Sequence, residues 1–192
     1  MNLRLFVALE PSELIHRRLA ALQGELRRAA GGAAEQVKWV SPEGVHLTLQ
    51  FLGAVPEERL PAIQGAVGRA AAGSAPLELA VAGAGAFPSA RRARVLWAAV
   101  AGDVAPLAAL VAALGRELAP LGFTPEERPF AAHLTLGRAR DARGLPGLAA
   151  ALAHAGGGTE ARWRAAEVVL FRSHLSPHGA RYEALYRAPL GR

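Results

Sequence analysis

The chain has 192 residues and no cysteine, and it carries 22 Lys and Arg against 16 Asp and Glu, a formal charge of +6. Without cysteine there can be no disulfide framework, thiolate nucleophile or Cys-ligated zinc or iron–sulfur centre, so any catalysis must draw on His, Ser or Thr, carboxylates or Arg. The length suits one large domain or two small lobes. The apolar stretch at the N-terminus is too short for a signal-peptide core, and the longest apolar run, near Leu107 to Leu114, falls short of a membrane span, which together read as a soluble cytoplasmic protein.

In chain order, residues 3–9 (LRLFVAL) read as a buried strand, and Pro11-Ser12 opens a helix with Leu14, Ile15, Leu19, Leu22 and Leu26 on one face, stopped by Gly31-Gly32. A short extended piece at 37–40 precedes a strand around His46, then a helix over 56–72 with Leu60, Ile63 and Val67 at helical spacing, then a strand near 77–81. The second half runs in the same order: strand 94–100, helix 104–118, extended 123–130, a strand from His133, helix 145–155 and strand 167–175. A last strand over 181–187 closes a hairpin across Ser176 to Gly179. Each half is therefore expected to be β-α-β-β-α-β, the order of a split ferredoxin-like unit. The expected fold is α+β: a single bilobal domain over 1–192 with lobe-forming repeats roughly 3–82 and 94–187. Their largely antiparallel sheets would face a central groove about a pseudo-two-fold axis.

The tetrapeptide HLTL occurs twice, at His46 to Leu49 and at His133 to Leu136, 87 residues apart. With six His and four Thr in the chain, chance placement predicts far less than one His-x-Thr pair. In a strand, each His shares a face with its own Thr, opposite the apolar set Val45, Leu47, Leu49 and Phe51, or Leu134 and Leu136. Such a pair suits in-line hydrolysis of a phosphodiester, which needs a base for the attacking oxygen and an acid for the leaving one. Two imidazoles near pKa 6.5 can divide those roles, and a hydroxyl about 6 to 7 Å along the strand can hold a phosphate oxygen.

The basic balance also suits a polyanionic partner. However, 21 of the 22 basic residues are Arg scattered through an Ala, Gly, Pro and Leu-rich chain, and the base composition of a GC-rich genome explains the bias equally well. One Asn, four Gln and one Met suit a heat-adapted source. The glycine-rich stretches at Gly83 to Gly85 and Gly156 to Gly158 do not continue into a P-loop, and the sole lysine, Lys38, lacks a ligase context. With only Asp103 and Asp141 as aspartates, and no third ligand at a recognisable spacing, neither a metal nor another cofactor is expected.

The segments LRLFVALEP, GVHLTLQFLG, AFPSARRARVLWAAV, RPFAAHLTLGRAR and SHLSPHGARYEAL resemble the 2H phosphoesterases, named for two H-x-T/S-x motifs, over nearly the whole chain. Within them the resemblance is to the RNA 2′,3′-cyclic phosphodiesterases, also called 2′-5′ RNA ligases (ThpR/LigT-like). The resemblance implies hydrolysis of a terminal 2′,3′-cyclic phosphate to a 2′-phosphate, with weak, reversible, ATP-independent 2′-5′ joining. It implies His46 as proton donor, His133 as proton acceptor, and Thr48 and Thr135 as phosphate ligands. The implied partners are RNA ends bearing a 2′,3′-cyclic phosphate, such as tRNA halves, or small cyclic nucleotides, with no membrane and a monomeric protein. Many relatives have Pro immediately before the second His, where this chain has Ala132.

Arg128, Phe130, Arg138, Ser173 and Tyr182 are further substrate-binding candidates, all but Phe130 at positions the family fills similarly. Arg138 would lie on the face opposite His133 unless Gly137 marks a bulge, and a structural ion pair is the other reading. Phe130 suits either base stacking or the core. Ser173 shares a strand face with Val169 and Phe171. His16 and His154 are expected at helix surfaces or ends, and His174 and His178 beside a hairpin turn. Two rivals stand beside the leading reading: an RNA-binding module without turnover, and an enzyme acting on small nucleotides such as ADP-ribose 1″,2″-cyclic phosphate.

Overall fold

The computed structural model describes residues 1–124, 129–141, 145, 148–155, 161–176 and 179–191, with the side chain of His154 left aside. Strand β1 (Asn2–Leu9) is followed by helix α1 (Glu13–Ala30), short strand β2 (Val37–Trp39) and strand β3 (Leu47–Pro56). A 3₁₀ turn then leads into helix α2 (Leu60–Ala72) and strand β4 (Leu77–Phe87). The second half supplies β5 (Val95–Gly102), α3 (Val104–Leu118), β6 (His133–Ala139), α4 (Ala149–His154), β7 (Ala161–Ala165), β8 (Glu167–Ser176) and β9 (Gly179–Pro189).

Two antiparallel sheets result, one ordered β3-β1-β8-β9 and the other β2-β6-β5-β4-β7. The repeats 3–82 and 94–187 therefore do not each close into a lobe of their own. The first half sends β2 and β4 into the second sheet, and the second half sends β8 and β9 into the first. The physical reason is pairing: the inner strands β1 and β5 each need a second antiparallel neighbour, and the other half provides it. The pseudo-symmetry survives this exchange, with β3, β1, β8 and β9 corresponding to β6, β5, β4 and β7. The register sets Ala8 opposite Thr48 and Trp97 opposite Thr135, which makes Leu5 the counterpart of Arg94.

Helix α1 buries Ile15, Leu19, Leu22, Gln23 and Leu26, and Gly31 ends it at φ 54°. Leu14, expected on the apolar face, is 53% exposed, and buried Gln23 takes the inward position. Its Nε2 donates to the carbonyls of Val40 (2.7 Å) and Leu136 (2.9 Å), which ties α1 to the end of β2 and to the second HLTL strand. The helix expected from residue 56 starts at 60, because Pro56 ends β3. The one expected over 145–155 shortens to α4, with Leu145 bridged instead to Ala93. Residues 123–130, expected to be extended, form no regular strand where described; 125–128 lie outside the described residues, as do Pro177 and His178 of the hairpin.

The stretch Val104–Leu121 is longer and more apolar than the sequence reading allowed, 18 residues at a mean hydropathy of 1.5. Its composition has two origins: Leu107, Leu110, Leu114 and Leu118 are fully buried in the main core, while an Ala-rich face looks outward.

Candidate functional site

Each HLTL strand carries a β-bulge at the same place. In β3 the register steps from Ala8↔Thr48 to Val7↔Gln50, leaving Leu49 as the extra residue; in β6 it steps from Trp97↔Thr135 to Leu96↔Gly137, leaving Leu136 extra. A bulge reverses the alternation of faces beyond it. Hence Phe51, expected in the core, is 62% exposed and Gln50 is buried, and Arg138 joins His133 and Thr135 on one side. The bulge reading of Arg138 is thus the one the backbone adopts, though the extra residue is Leu136 rather than Gly137.

The two strands meet, and the groove between the sheets encloses about 1730 Å³. His46, Thr48, His133, Thr135, Arg138 and Phe130 all line it. The residues 87 positions apart are structural counterparts: His46 with His133, Thr48 with Thr135, and Phe51 with Arg138.

Both imidazoles are oriented in the same way. Nδ1 of His46 lies 3.0 Å from the carbonyl oxygen of Gly44, and Nδ1 of His133 lies 2.7 Å from that of Ala131. A carbonyl only accepts, so Nδ1 donates in each case and Nε2 is left to exchange a proton with a ligand. Each ring also packs on a phenylalanine from an exchanged strand. Phe171 of β8 lies 4.4 Å from His46 between ring centres, and its counterpart Phe87 of β4 lies 5.2 Å from His133. Neither phenylalanine stood out in the sequence, because each belongs to the opposite half from the histidine it supports.

The two half-sites then diverge. His46 is enclosed by Phe6 (5.9 Å), Phe171 and Tyr182 (5.0 Å), which belong to a small buried cluster with Ala8 and Val169 on this face of the first sheet. This burial holds the His46 imidazole below its ordinary pKa. The hydrogen bond to Gly44 and the carboxylate of Glu10 pull the other way, and the charge of His16 adds slightly to the lowering. Around His133, the indole of Trp97 lies flat on Gly85, where a Cβ would come within 2.2 Å of the ring, and it supports Phe87 at 5.1 Å.

Of the other sequence candidates, Tyr182 stands edge-on to His46, and Ser173 is its cross-strand partner on the Phe171 face. Arg128 lies outside the described residues. His16, expected at a helix surface, is half-buried with Nε2 enclosed, because α1 packs on the turn just before His46. Nε2 of His174 pairs with Glu183 at 2.7 Å. Groove residues that sequence reasoning missed include Arg94, Arg116, Arg140 and Phe51, which carry no local motif. Among the described residues, no three His, Asp or Glu side chains converge as metal ligands.

The family model described as "LigT like Phosphoesterase" matches residues 9–97 and 101–182. The chain belongs to this family, the two-histidine phosphoesterases. It is 35% identical over 182 residues to the RNA 2′,3′-cyclic phosphodiesterase of Methanothermobacter thermautotrophicus, covering 95% of this chain and 96% of that one. It is 32% identical to the enzyme of that name from Thermus thermophilus, covering 98% and 90%. Among solved structures, the E. coli LigT complex with 3′-AMP superposes with a TM-score of 0.77 at 26% identity over the whole of both chains. TT0787 of Thermus thermophilus gives 0.77 at 27%, covering 98% of each chain.

Proposed function

We propose that the chain hydrolyses RNA 2′,3′-cyclic phosphate ends to 2′-phosphates by general acid–base catalysis from His46 and His133, with no metal or other cofactor. One observation carries the reading: two pseudo-symmetric His-x-Thr pairs line a single groove, each imidazole held through Nδ1 by the carbonyl two residues before it. The relatives named RNA 2′,3′-cyclic phosphodiesterase supply the reaction class.

In this mechanism His133 accepts a proton from water at Nε2 as the water oxygen bonds to phosphorus. The bond from phosphorus to O3′ breaks, and His46 delivers a proton from Nε2 to that oxygen. Thr48 and Thr135 donate their hydroxyl hydrogens to the non-bridging oxygens, and Arg138 offsets their charge. The depressed pKa of His46 means that the free site holds this imidazole neutral. A bound phosphate brings the negative charge that restores the proton, so charging of the acid is coupled to substrate binding. With a 5′-hydroxyl in place of water, the same steps join it to the cyclic end through a 2′-5′ bond without ATP, as a minor and reversible activity. The protein is read as a cytoplasmic monomer.

The test is incubation of the chelator-treated protein with an oligonucleotide ending in a 2′,3′-cyclic phosphate, followed by assignment of the product phosphate. Undiminished turnover to a 2′-phosphate is expected. A 3′-phosphate product, or activity lost in EDTA and restored by zinc or magnesium, would contradict the mechanism. Turnover confined to a small cyclic nucleotide would favour the ADP-ribose 1″,2″-cyclic phosphate reading, which the nucleotide-bound LigT structures keep in play.

A further inference from the structure

We propose that the groove is a track for single-stranded RNA, with a subsite for a phosphate upstream of the cyclic end at Arg116 on α3. The proposal rests on the phosphodiesterase reading above and extends it from the terminal nucleotide to the chain behind it.

The first observation is size. Sites for single small molecules occupy about 300 to 1,000 Å³, and this groove encloses about 1730 Å³. The surplus volume lies off the pseudo-two-fold. α3 lines the groove, whereas α1, the helix in the corresponding place of the first half, contributes no lining residue. Ala108, Ala112, Gly115 and Ala119 make the α3 wall low and smooth over roughly 16 Å of helix, at about 1.5 Å per residue. Arg116 stands on that wall, exposed.

Charge and stacking surface agree with this. Among the described residues, Arg94, Arg116, Arg138 and Arg140 line the groove against a single carboxylate, Asp141. The aromatic rings of Phe51 and Phe87, 62% and 36% exposed, also face it. Arginines spaced along a channel with accessible rings are what a single strand needs, since phosphates follow the charges and bases stack on the rings.

Gln50 adds an independent sign of a ligand. It pairs with Val7, whose side chain enters the main core, so Gln50 lies on the helix side of the edge strand β3, where α3 packs. It lines the groove at 7% exposure with its Nε2 unpartnered. A buried amide donor without a protein acceptor is uncommon, and an RNA oxygen passing between β3 and α3 would satisfy it.

The experiment compares cytidine 2′,3′-cyclic phosphate with di- and tetranucleotides ending in the same group, for the unmodified protein, Arg116→Ala and Ala112→Glu. The second variant places a carboxylate one helical turn before Arg116, where the pair strengthens the helix while cancelling its charge. For the unmodified protein kcat/KM should rise with length, and each variant should lower the ratio of tetranucleotide to mononucleotide about three- to tenfold. In parallel, anisotropy of a fluorescein-labelled tetranucleotide ending in a 2′-phosphate should show the slope of log affinity against log salt falling by about 0.7 in Arg116→Ala.

A length-independent kcat/KM, or an unchanged ratio and salt slope in both variants, would overturn the track. If no substrate is turned over, the phosphodiesterase reading fails, and the salt slope alone decides the track.

Discussion

The two HLTL strands present the same four residues, the same bulge and the same clamp on Nδ1, yet the sheets around them make different half-sites. In the first sheet, Ala8 and Val169 occupy the positions that Trp97 and Gly85 hold in the second, one small pair of side chains replacing a large-and-none pair. The space left by Ala8 and Val169 admits the rings of Phe6 and Tyr182 around His46, while in the second sheet Trp97 fills the volume itself and, among the described residues, Phe87 is the one aromatic ring packed against His133. The outer sides differ as well. β3 is an edge strand and carries Gln50 after its bulge. β6 is covered by β2, and its counterpart residue is Gly137, where a Cβ would lie 2.6 Å from Val37 Cγ1. A duplicated motif thus keeps its geometry through shared backbone devices, while its packing is free to give each copy a different solvation.

The largest expected effect tests what the copies share. His46→Ala and His133→Ala should each lower turnover of a cyclic-phosphate oligonucleotide by about 10² to 10⁴-fold, with binding affinity for the product largely kept. Near-normal turnover in either variant, measured under single-turnover conditions, would break the symmetry of need.

Next is the asymmetry at the counterpart pair Phe51 and Arg138. Arg138→Ala should lower kcat/KM by about ten- to a hundredfold, the range of a hydrogen bond to a charged group. Phe51→Ala should cost less, since it supplies no charge. Equal losses from the two changes would mean that charge is not what separates the half-sites.

A stability comparison follows. Gly137→Ala should destabilise the fold by about 1 to 3 kcal/mol, because the added methyl overpacks Val37 under β2. Gln23→Met should cost a similar amount by leaving the Val40 carbonyl without its donor. Urea midpoints would check both, and unchanged midpoints would show that β2 gives way more easily than its burial suggests.

The smallest effect concerns pH. Burial holds His46 below the ordinary imidazole pKa, so between the two values the unfolded chain binds more protons than the folded one. The neutral ring's contribution to stability is therefore complete above about pH 6.5 and is lost as the pH falls towards the folded value. In an NMR titration of the free protein His46 should titrate below that ordinary value and move upward when inorganic phosphate is added. Titration above it in the free protein would contradict the burial argument.

Much of this was legible in the sequence, for reasons that can be located. The HLTL pair announced the site because two His-x-Thr repeats need no knowledge of topology to be seen, and α3 was readable to the residue from its leucine spacing. Strand β7, only five residues long and next to a glycine-rich stretch, offers too few apolar positions to register as a period of two. The exchange of β4 and β8 depends on pairing between distant segments, so Phe87 and Phe171 could not be assigned to their histidines. Phe51 and Arg138 were misplaced or left open because a bulge is a backbone event that alternation cannot reveal. Gln23 was not read as inward-facing because periodicity gives buried positions to leucine, whereas an amide with two buried carbonyls to satisfy is worth one as well.

The central claim is that identical motifs take opposite proton-transfer roles, His46 as acid and His133 as base. The most direct measurement uses a substrate in which sulfur replaces the bridging 3′ oxygen, since a thiolate departs without a proton. His46→Ala should recover most of its lost rate on this substrate relative to the oxygen analogue, and His133→Ala should recover none. Recovery by His133→Ala, or equal impairment of both variants on both substrates, would contradict the assignment.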